Sequence, residues 1–250
     1  ALTRFGRAAC PATSYTFMTA INNFLQDQYD AIWATAQTAF DQGAPSLDAR
    51  LPAKTEDRRR SATLLIRPGA AVAARVAATL AELRPLEPAQ YYYHPDELHV
   101  TVLSLWTGTE QPEPFFAQMP VYRAAIAAVL CNWPSFSLRF DGLTASPAAV
   151  LVQGYPTGLQ LNDLREALRA AITAAGLGHT LDQRYRISTA HMTALRFCRP
   201  LQDLPRLAAA LQARRSCDFG VTNVAEIQLV ENDWYMSRDR VRVLHRYPLT

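Results

Sequence analysis

Two short stretches of the sequence repeat one pattern, a histidine followed two residues later by a threonine. The first copy is His99 with Thr101, and the second is His191 with Thr193. Each copy lies in an apolar, strand-like run, and in a β-strand residues two apart point to the same face. One copy of so short a pattern carries little information, whereas two copies in matching contexts indicate a shared task. The two runs are Leu98–Leu105 and Ala190–Phe197.

These residue types suit acid–base chemistry on a phosphate. Histidine has a reference pKa of about 6.5, so one ring can accept a proton while the other donates one. A threonine hydroxyl on the same face can donate a hydrogen bond to a phosphoryl oxygen. We therefore predict a phosphodiester site in which His99 and His191 transfer protons and Thr101 and Thr193 contact the anion. Which histidine is the acid and which the base stays open.

Five further residues near the motifs are candidates for substrate binding. Arg184 and Arg186 precede the second motif and can reach towards a phosphate, although surface arginines are more often simply solvated. Tyr93, Trp106 and Phe197 flank the motif strands and are candidates for stacking on a base, although aromatic residues more often belong to the core. Both interpretations are kept.

The segments before each motif predict the elements that position it. A strand at Ala62–Arg67 and a helix with apolar positions from Val72 to Leu83 precede the first motif. A strand at Ala149–Gln153 and a helix with apolar positions from Leu161 to Ile172 precede the second. This weak strand–helix–strand repeat predicts an α+β fold with two lobes related by a pseudo-two-fold axis. We expect two antiparallel sheets with helices outside and a cleft between them.

The remaining segments are interpreted from local signals. Ala1–Tyr15 is expected to be irregular and Ala20–Phe40 helical, which makes residues 1–60 an N-terminal extension to a domain formed by residues 61–250. The proline-rich stretch Pro112–Pro120 is expected to be a connection, and Thr157 with Gln160 is expected to cap the next helix as a capping box. The stretch Val221–Val230 is expected to be one strand.

Composition and missing motifs exclude several classes of function. The chain has 250 residues, 49% apolar and 19% charged, with a formal net charge of +3, which fits a folded protein that can bind a phosphate. The four cysteines form no C-x-x-C pair, no run is long enough to span a bilayer, and the P-loop, H-E-x-x-H and G-x-S-x-G motifs are missing. We expect a cytoplasmic monomer that needs no metal or cofactor and binds no membrane.

The paired motifs resemble those of the 2H phosphoesterase superfamily, which is named for two His-x-Thr/Ser motifs. That superfamily includes 2′,3′-cyclic nucleotide phosphodiesterases and bacterial RNA 2′-5′ ligase-like proteins. The resemblance covers roughly Ala62–Tyr247, and its motif residues correspond to His99, Thr101, His191 and Thr193. It implies a bilobal fold with a central cleft and metal-independent chemistry on 2′-linked or cyclic phosphates.

The expected function is therefore that of a metal-independent phosphodiesterase. Its expected substrates are a 2′,3′-cyclic phosphate or a 2′-linked phosphodiester on RNA ends or small nucleotides. Two alternatives use the same cleft: an RNA 2′-5′ ligase, which runs the reaction in reverse, and a nucleotide-binding or RNA-binding module with little turnover. A structural protein in which the repeat is accidental is the third alternative.

Overall fold

A computed structural model describes the backbone of residues 11–250 and the side chains from residue 23 onward. The helices are α1 (Pro11–Asp41), α2 (Ala70–Leu83), α3 (Glu113–Ala117), α4 (Met119–Leu130), α5 (Gln160–Ala174) and α6 (Leu204–Gln212). The strands are β1 (Arg60–Ile66), β2 (Tyr91–Tyr92), β3 (Val100–Ser104), β4 (Phe136–Ser146), β5 (Ala149–Pro156), β6 (Met192–Arg196), β7 (Asp218–Val224), β8 (Glu226–Asp233) and β9 (Arg242–Pro248). Short 3₁₀ turns lie at Leu51–Ala53, Pro95–Glu97 and Gly178–Thr180.

The strands form two antiparallel halves that meet in the middle of one sheet. The strand order is β7-β4-β5-β6-β3-β1-β8-β9, and β2 also pairs with β6. The two motif strands, β3 and β6, are the central neighbours, and they join the halves through one antiparallel residue pair, Val100 with Met192. The expected α+β fold with two antiparallel halves is confirmed, and this single pair connects the halves into one sheet.

The long helices cover the halves crosswise. Helix α2, which belongs to the first half, packs on β6 and β7 of the second half, and α5 of the second half contacts β3 of the first. Their buried positions follow the apolar spacing that predicted them: Val72, Val76, Leu80 and Leu83 in α2, and Leu161, Leu164, Leu168 and Ile172 in α5. Burying these faces against opposite halves holds the motif strands together.

Two expectations about helix starts are wrong. Helix α1 already includes Pro11, so the part of Ala1–Tyr15 within the described structure is helical, and residues 1–10 lie outside the described residues. Proline fits the first turn of a helix, where its missing N–H has no intrahelical partner to lose. The same preference explains why Pro112–Pro120 is not a simple connection but contains α3 and the start of α4.

Two further local expectations are wrong. Helix α5 begins at Gln160 with no side-chain cap, because the Thr157 hydroxyl instead donates a hydrogen bond to the Ser137 carbonyl 3.1 Å away. The run Val221–Val230 is divided between β7 and β8, which end and begin on either side of Ala225. Within the described residues, no helix is both long and apolar enough to cross a bilayer.

Candidate active site

The pairing of the two motif strands sets the geometry of the site. The paired residues, Val100 and Met192, each directly follow the histidine of their own motif. In an antiparallel pair, a step backward on one strand corresponds to a step forward on the other. The junction between the halves is therefore also the local centre of the two motifs.

Continuing this register by one residue in each direction places His99 opposite Thr193 and Thr101 opposite His191. Opposite residues in a sheet share a face, so the four side chains form a square on one side of the junction. All four line a single cleft. We call this group the His–Thr square. Its corners alternate between an imidazole and a hydroxyl.

The two histidines are held in different ways. The Nδ1 atom of His99 lies 2.7 Å from the backbone carbonyl oxygen of Glu97. Because a carbonyl only accepts, Nδ1 carries the hydrogen and Nε2 is the free nitrogen of the neutral ring. The Nδ1 atom of His191 lies 2.7 Å from the Thr189 hydroxyl, which can either donate or accept. The ring of His191 can therefore adopt either tautomer.

Both histidines are neutral at physiological pH in the ligand-free protein. Burial lowers the pKa of His99 to about 4, while the hydrogen bond to the Glu97 carbonyl opposes this shift and neighbouring positive charges reinforce it. Burial also lowers the pKa of His191 to about 4, and two nearby arginines, Arg165 and Arg196, lower it further. A bound anion would act in the opposite direction and raise both values.

A buried arginine connects the two motifs. Arg165, on α5, is only 1% exposed, and its guanidinium donates to the Thr101 carbonyl at 2.7 Å and to the Val102 carbonyl at 3.0 Å. It also donates to the Thr189 carbonyl at 2.9 Å, two residues before His191. One side chain thus fixes the backbone of both motifs. Sequence reasoning missed it, although an arginine between Leu164 and Leu168 on an apolar helix face is a visible signal.

Arg196 and Tyr93 provide polar groups to the cleft. Both line it, and the Arg196 Nε atom lies 3.4 Å from the Tyr93 hydroxyl. Tyr93 is a candidate from the sequence, whereas sequence reasoning missed Arg196 because an arginine there fits a solvated surface equally well. Its guanidinium stands in the same cleft as the His–Thr square, where it can compensate the charge of a phosphate.

The two arginines predicted to bind substrate lie in different places. Arg184 lines the cleft, and its guanidinium lies 4.5 Å from the centre of the Trp234 ring. Arg186 is not among the lining residues; it is exposed and forms an ion pair with Glu166 on α5. This partner of opposite charge holds Arg186 on the outer surface, so the structure does not bring it to the cleft.

All three predicted aromatic residues, Tyr93, Trp106 and Phe197, are buried. Trp106 lines the cleft but is only 1% exposed, its indole N–H donates to the Arg60 carbonyl, and its ring stacks on Phe115. It therefore forms a wall with little free ring face. Phe197 is fully buried, packs edge-to-face against Phe40 of α1, and is not among the cleft residues.

β-Bulges explain why Arg196, and not Phe197, lies in the cleft. Between β5 and β6, Val150 pairs with Leu195 and the next residue, Leu151, pairs with Thr193. Ala194 of β6 is therefore an extra residue with no partner on β5. An extra residue reverses the alternation of side chains beyond it. The first motif strand has an equivalent irregularity at Val102.

Comparison with known families identifies the relationship. The model of the 2′-5′ RNA ligase superfamily matches residues 68–233, which is more than half of the chain. The chain belongs to this superfamily. The resemblance to 2H phosphoesterases seen in the sequence is thereby confirmed. No curated protein matches the chain significantly in sequence.

Solved structures resemble the chain in fold. The protein TT0787 of Thermus thermophilus matches with a TM-score of 0.58 and 18% identity over 75% of this chain and 97% of that one. E. coli LigT in complex with 3′-AMP matches with a TM-score of 0.53 and 18% identity over 77% of this chain and 99% of that one. At this level of identity, these likenesses establish the fold.

Within the described part of the chain, no group of three or more His, Cys, Asp or Glu side chains is arranged to hold a metal ion.

Proposed function

We propose that the protein is a phosphodiesterase that hydrolyses 2′,3′-cyclic phosphates or 2′-linked phosphodiesters on RNA ends or small nucleotides, without a metal. The observation that supports this proposal is that the two imidazoles and two hydroxyls of the His–Thr square line one cleft. Residues 61–250 form the proposed catalytic domain. The proposal keeps the expectations of a monomeric enzyme and a cytoplasmic location.

The square supplies each group that hydrolysis requires. The hydroxyls of Thr101 and Thr193 donate to the non-bridging phosphoryl oxygens, and Arg196 compensates the charge that develops on them. One neutral histidine accepts a proton from water as the new P–O bond forms. The other, protonated histidine gives its proton to the sugar oxygen as the old P–O bond breaks. The products are a phosphate monoester and a free sugar hydroxyl, so atoms and charge balance.

The low pKa values of the free histidines fit substrate-dependent activation. Each ring has a pKa of about 4 when the cleft is empty, so the proton needed by the acid is scarce at neutral pH. A phosphate anion at the centre of the square stabilises an imidazolium and raises its pKa. We propose that substrate binding creates the protonated histidine and that kcat follows a bell-shaped pH profile.

The mouth of the cleft suits a nucleoside. Arg184 and Tyr185 both line the cleft, and Tyr185 is 60% exposed, which leaves a ring available for stacking. E. coli LigT, a structure of similar fold, has been solved with 3′-AMP. We propose that the nucleoside of the substrate lies at this mouth and that its phosphate lies in the His–Thr square.

A substrate panel tests the function. The protein is incubated with the four 2′,3′-cyclic nucleotides, 2′-5′-linked dinucleotides and oligonucleotides that end in a cyclic phosphate. We expect hydrolysis of at least one class, in the presence of EDTA, with the product phosphate at a single position. The proposal would be refuted if the protein turned over none of these substrates. It would also be refuted by activity that EDTA abolishes and a divalent ion restores.

RNA 2′-5′ ligation is the second candidate, and the match to the 2′-5′ RNA ligase superfamily favours it. In ligation a 5′-hydroxyl takes the place of water and attacks the cyclic phosphate. The new P–O5′ bond forms as the P–O3′ bond breaks; one histidine accepts the proton of the 5′-hydroxyl and the other gives a proton to the 3′ oxygen. Mixing an oligonucleotide that ends in a cyclic phosphate with one that begins with a 5′-hydroxyl distinguishes the two. If the joined 2′-5′ product accumulates faster than the hydrolysed monoester, ligation is the main activity.

A further inference from the structure

Helix α1 lies outside the region matched by the family model, yet one of its side chains reaches the second motif. The helix packs on β4 and β5. Its residue Tyr29 is fully buried, and the Tyr29 hydroxyl accepts hydrogen bonds from the backbone N–H of Gly154 at 3.0 Å and of Ala190 at 3.2 Å. The same hydroxyl donates to the Gly154 carbonyl at 3.0 Å. Ala190 is the residue directly before His191.

The hydroxyl of Tyr29 accepts a backbone hydrogen bond just beyond the end of the β5–β6 pairing. Strand β6 begins at Met192, whose partner on β5 is Val152, and Ala190 lies beyond this last pair. The N–H of Ala190 therefore depends on Tyr29 for a partner inside the protein. An unpaired buried N–H is costly, so this contact restrains the backbone on which His191 stands.

The segment before His191 packs closely against β5. A Cβ atom on Gly154 would lie 2.1 Å from the Ala190 carbonyl oxygen, which shows how closely β5 approaches the segment before His191. The preceding residue, Thr189, is held by Arg165 through its carbonyl and holds the His191 ring through its hydroxyl. The segment before His191 is thus fixed on both sides, and Tyr29 provides one of the contacts.

We propose that Tyr29 is a positioning residue for His191, and that α1 is therefore part of the catalytic unit although it lies outside the matched region. This inference rests on the proposed function for its effect on turnover. Tyr29 acts through the Ala190 backbone and does not touch the substrate. A displacement of a catalytic group by about 1 Å can cost about 10²-fold in rate.

The test compares two Tyr→Phe substitutions in one buried cluster. Tyr155 packs edge-to-face on Tyr29 at 5.5 Å, is also buried, and bonds through its hydroxyl to the side chains of Gln26 and Gln153, away from the motif. Tyr29→Phe and Tyr155→Phe therefore each remove one hydroxyl from the same buried cluster, but only the first takes a partner from the backbone next to His191. We expect Tm to fall in both variants, and further in Tyr29→Phe, because it leaves the backbone N–H groups of Gly154 and Ala190 without this acceptor.

Only Tyr29→Phe should affect the site. We expect its kcat to fall by about 10- to 100-fold with KM within about twofold of wild type, whereas Tyr155→Phe keeps both values. The ¹⁵N signals of the His191 imidazole should shift in Tyr29→Phe, while those of His99 stay in place. Equal kcat values and unchanged His191 signals in both variants would overturn the inference.

Two readouts keep this test separate from the proposed function. If the wild-type protein turns over none of the substrates, the proposed function fails, and the His191 signals alone decide whether Tyr29 positions the ring. If Tyr29→Phe does not fold, hydrogen exchange on the wild-type protein decides. The Ala190 amide should be strongly protected although it lies beyond the ladder, and rapid exchange there would overturn the inference.

Discussion

The two motifs share one sequence pattern but differ in what holds them. His99 is held by the backbone carbonyl of Glu97, which no side-chain substitution removes. His191 is held by the Thr189 hydroxyl, and the backbone before it is held by the side chain of Tyr29. Similar motifs can thus have unequal supports. The difference lies in the ring contacts: a substitution can remove the partner of the His191 ring but not that of the His99 ring. Side chains hold the backbone before both histidines, since Arg67 donates to the Leu98 carbonyl at 3.2 Å.

The difference extends to the protonation of the rings. The neutral ring of His99 has a fixed tautomer, because its Nδ1 must donate to a carbonyl. The neutral ring of His191 can adopt either tautomer, because a hydroxyl can turn its hydrogen towards or away from the ring. A substitution at Thr189 therefore acts on the orientation and on the tautomer of the His191 ring, whereas the ring contact of His99 is to a backbone carbonyl that every substitution leaves in place.

The largest predicted effect comes from removing either histidine. His99→Ala and His191→Ala should each lower kcat by about 10²–10⁴-fold or more, and the double variant should be little worse, because the two groups act as a unit. His245→Ala, outside the cleft, is the matched control and should keep full activity. A folded single variant with normal turnover would remove that histidine from the mechanism and end the comparison.

The next effect concerns the connection between the halves. Arg165→Met leaves the carbonyls of Thr101 and Thr189 without this donor, so we expect the unfolding free energy to fall by about 3 kcal/mol and kcat by about 10²-fold. Chemical denaturation and steady-state kinetics measure both. The control is Arg169→Met, one turn along α5, which loses ion pairs to Glu166 and Asp182 but touches neither motif. Equal kcat values for the two variants would contradict a connecting role.

A smaller effect should separate the two supports directly. Thr189→Val keeps the shape of the side chain but removes the hydroxyl that bonds to the His191 ring. The loss of this one hydrogen bond should lower kcat by about tenfold. Glu97→Gln keeps the backbone carbonyl on His99, so its kcat per folded molecule should stay within about twofold of wild type. If Glu97→Gln is the more damaging for kcat, the comparison between the halves is reversed.

The last effect is on the free energy of unfolding as a function of pH and does not involve kcat. Both histidines have a pKa of about 4 in the folded protein, below the value of about 6.5 expected after unfolding. The unfolded chain therefore binds more protons between these values, and stability should fall as pH drops from about 6.5 towards 4. Replacing either histidine by Gln should flatten this decline. An unchanged slope of unfolding free energy against pH in both variants would show that the histidines titrate normally.

Much of this fold follows from sequence patterns, because burial repeats at a fixed period. Strand alternation identified the motifs, and the apolar spacing of Leu161, Leu164 and Leu168 identified α5 and its inner face. The bulge at Ala194 has no such signal, since it depends on pairing with β5. Without this bulge the alternation would turn Arg196 away from the cleft, so the sequence favours a solvated position for it.

Contacts between distant parts of the chain cannot be predicted from local patterns either, because they also depend on tertiary packing. Tyr29 and Ala190 are 161 residues apart, and nothing in either local pattern indicates that they meet. The ion pair of Arg186 with Glu166 likewise depends on where α5 is placed. Local periodicity predicts elements and faces, whereas the supports of the site depend on tertiary packing.

The most direct test of the central claim is ³¹P NMR of 2′,3′-cyclic AMP mixed with the protein in EDTA. The account predicts that the cyclic-phosphate signal is replaced by that of a single phosphomonoester, and that the His99→Ala/His191→Ala double variant leaves the cyclic signal unchanged over the same time. The account is contradicted if the double variant forms product at the wild-type rate, or if the wild-type protein leaves intact both this cyclic phosphate and every other member of the substrate panel.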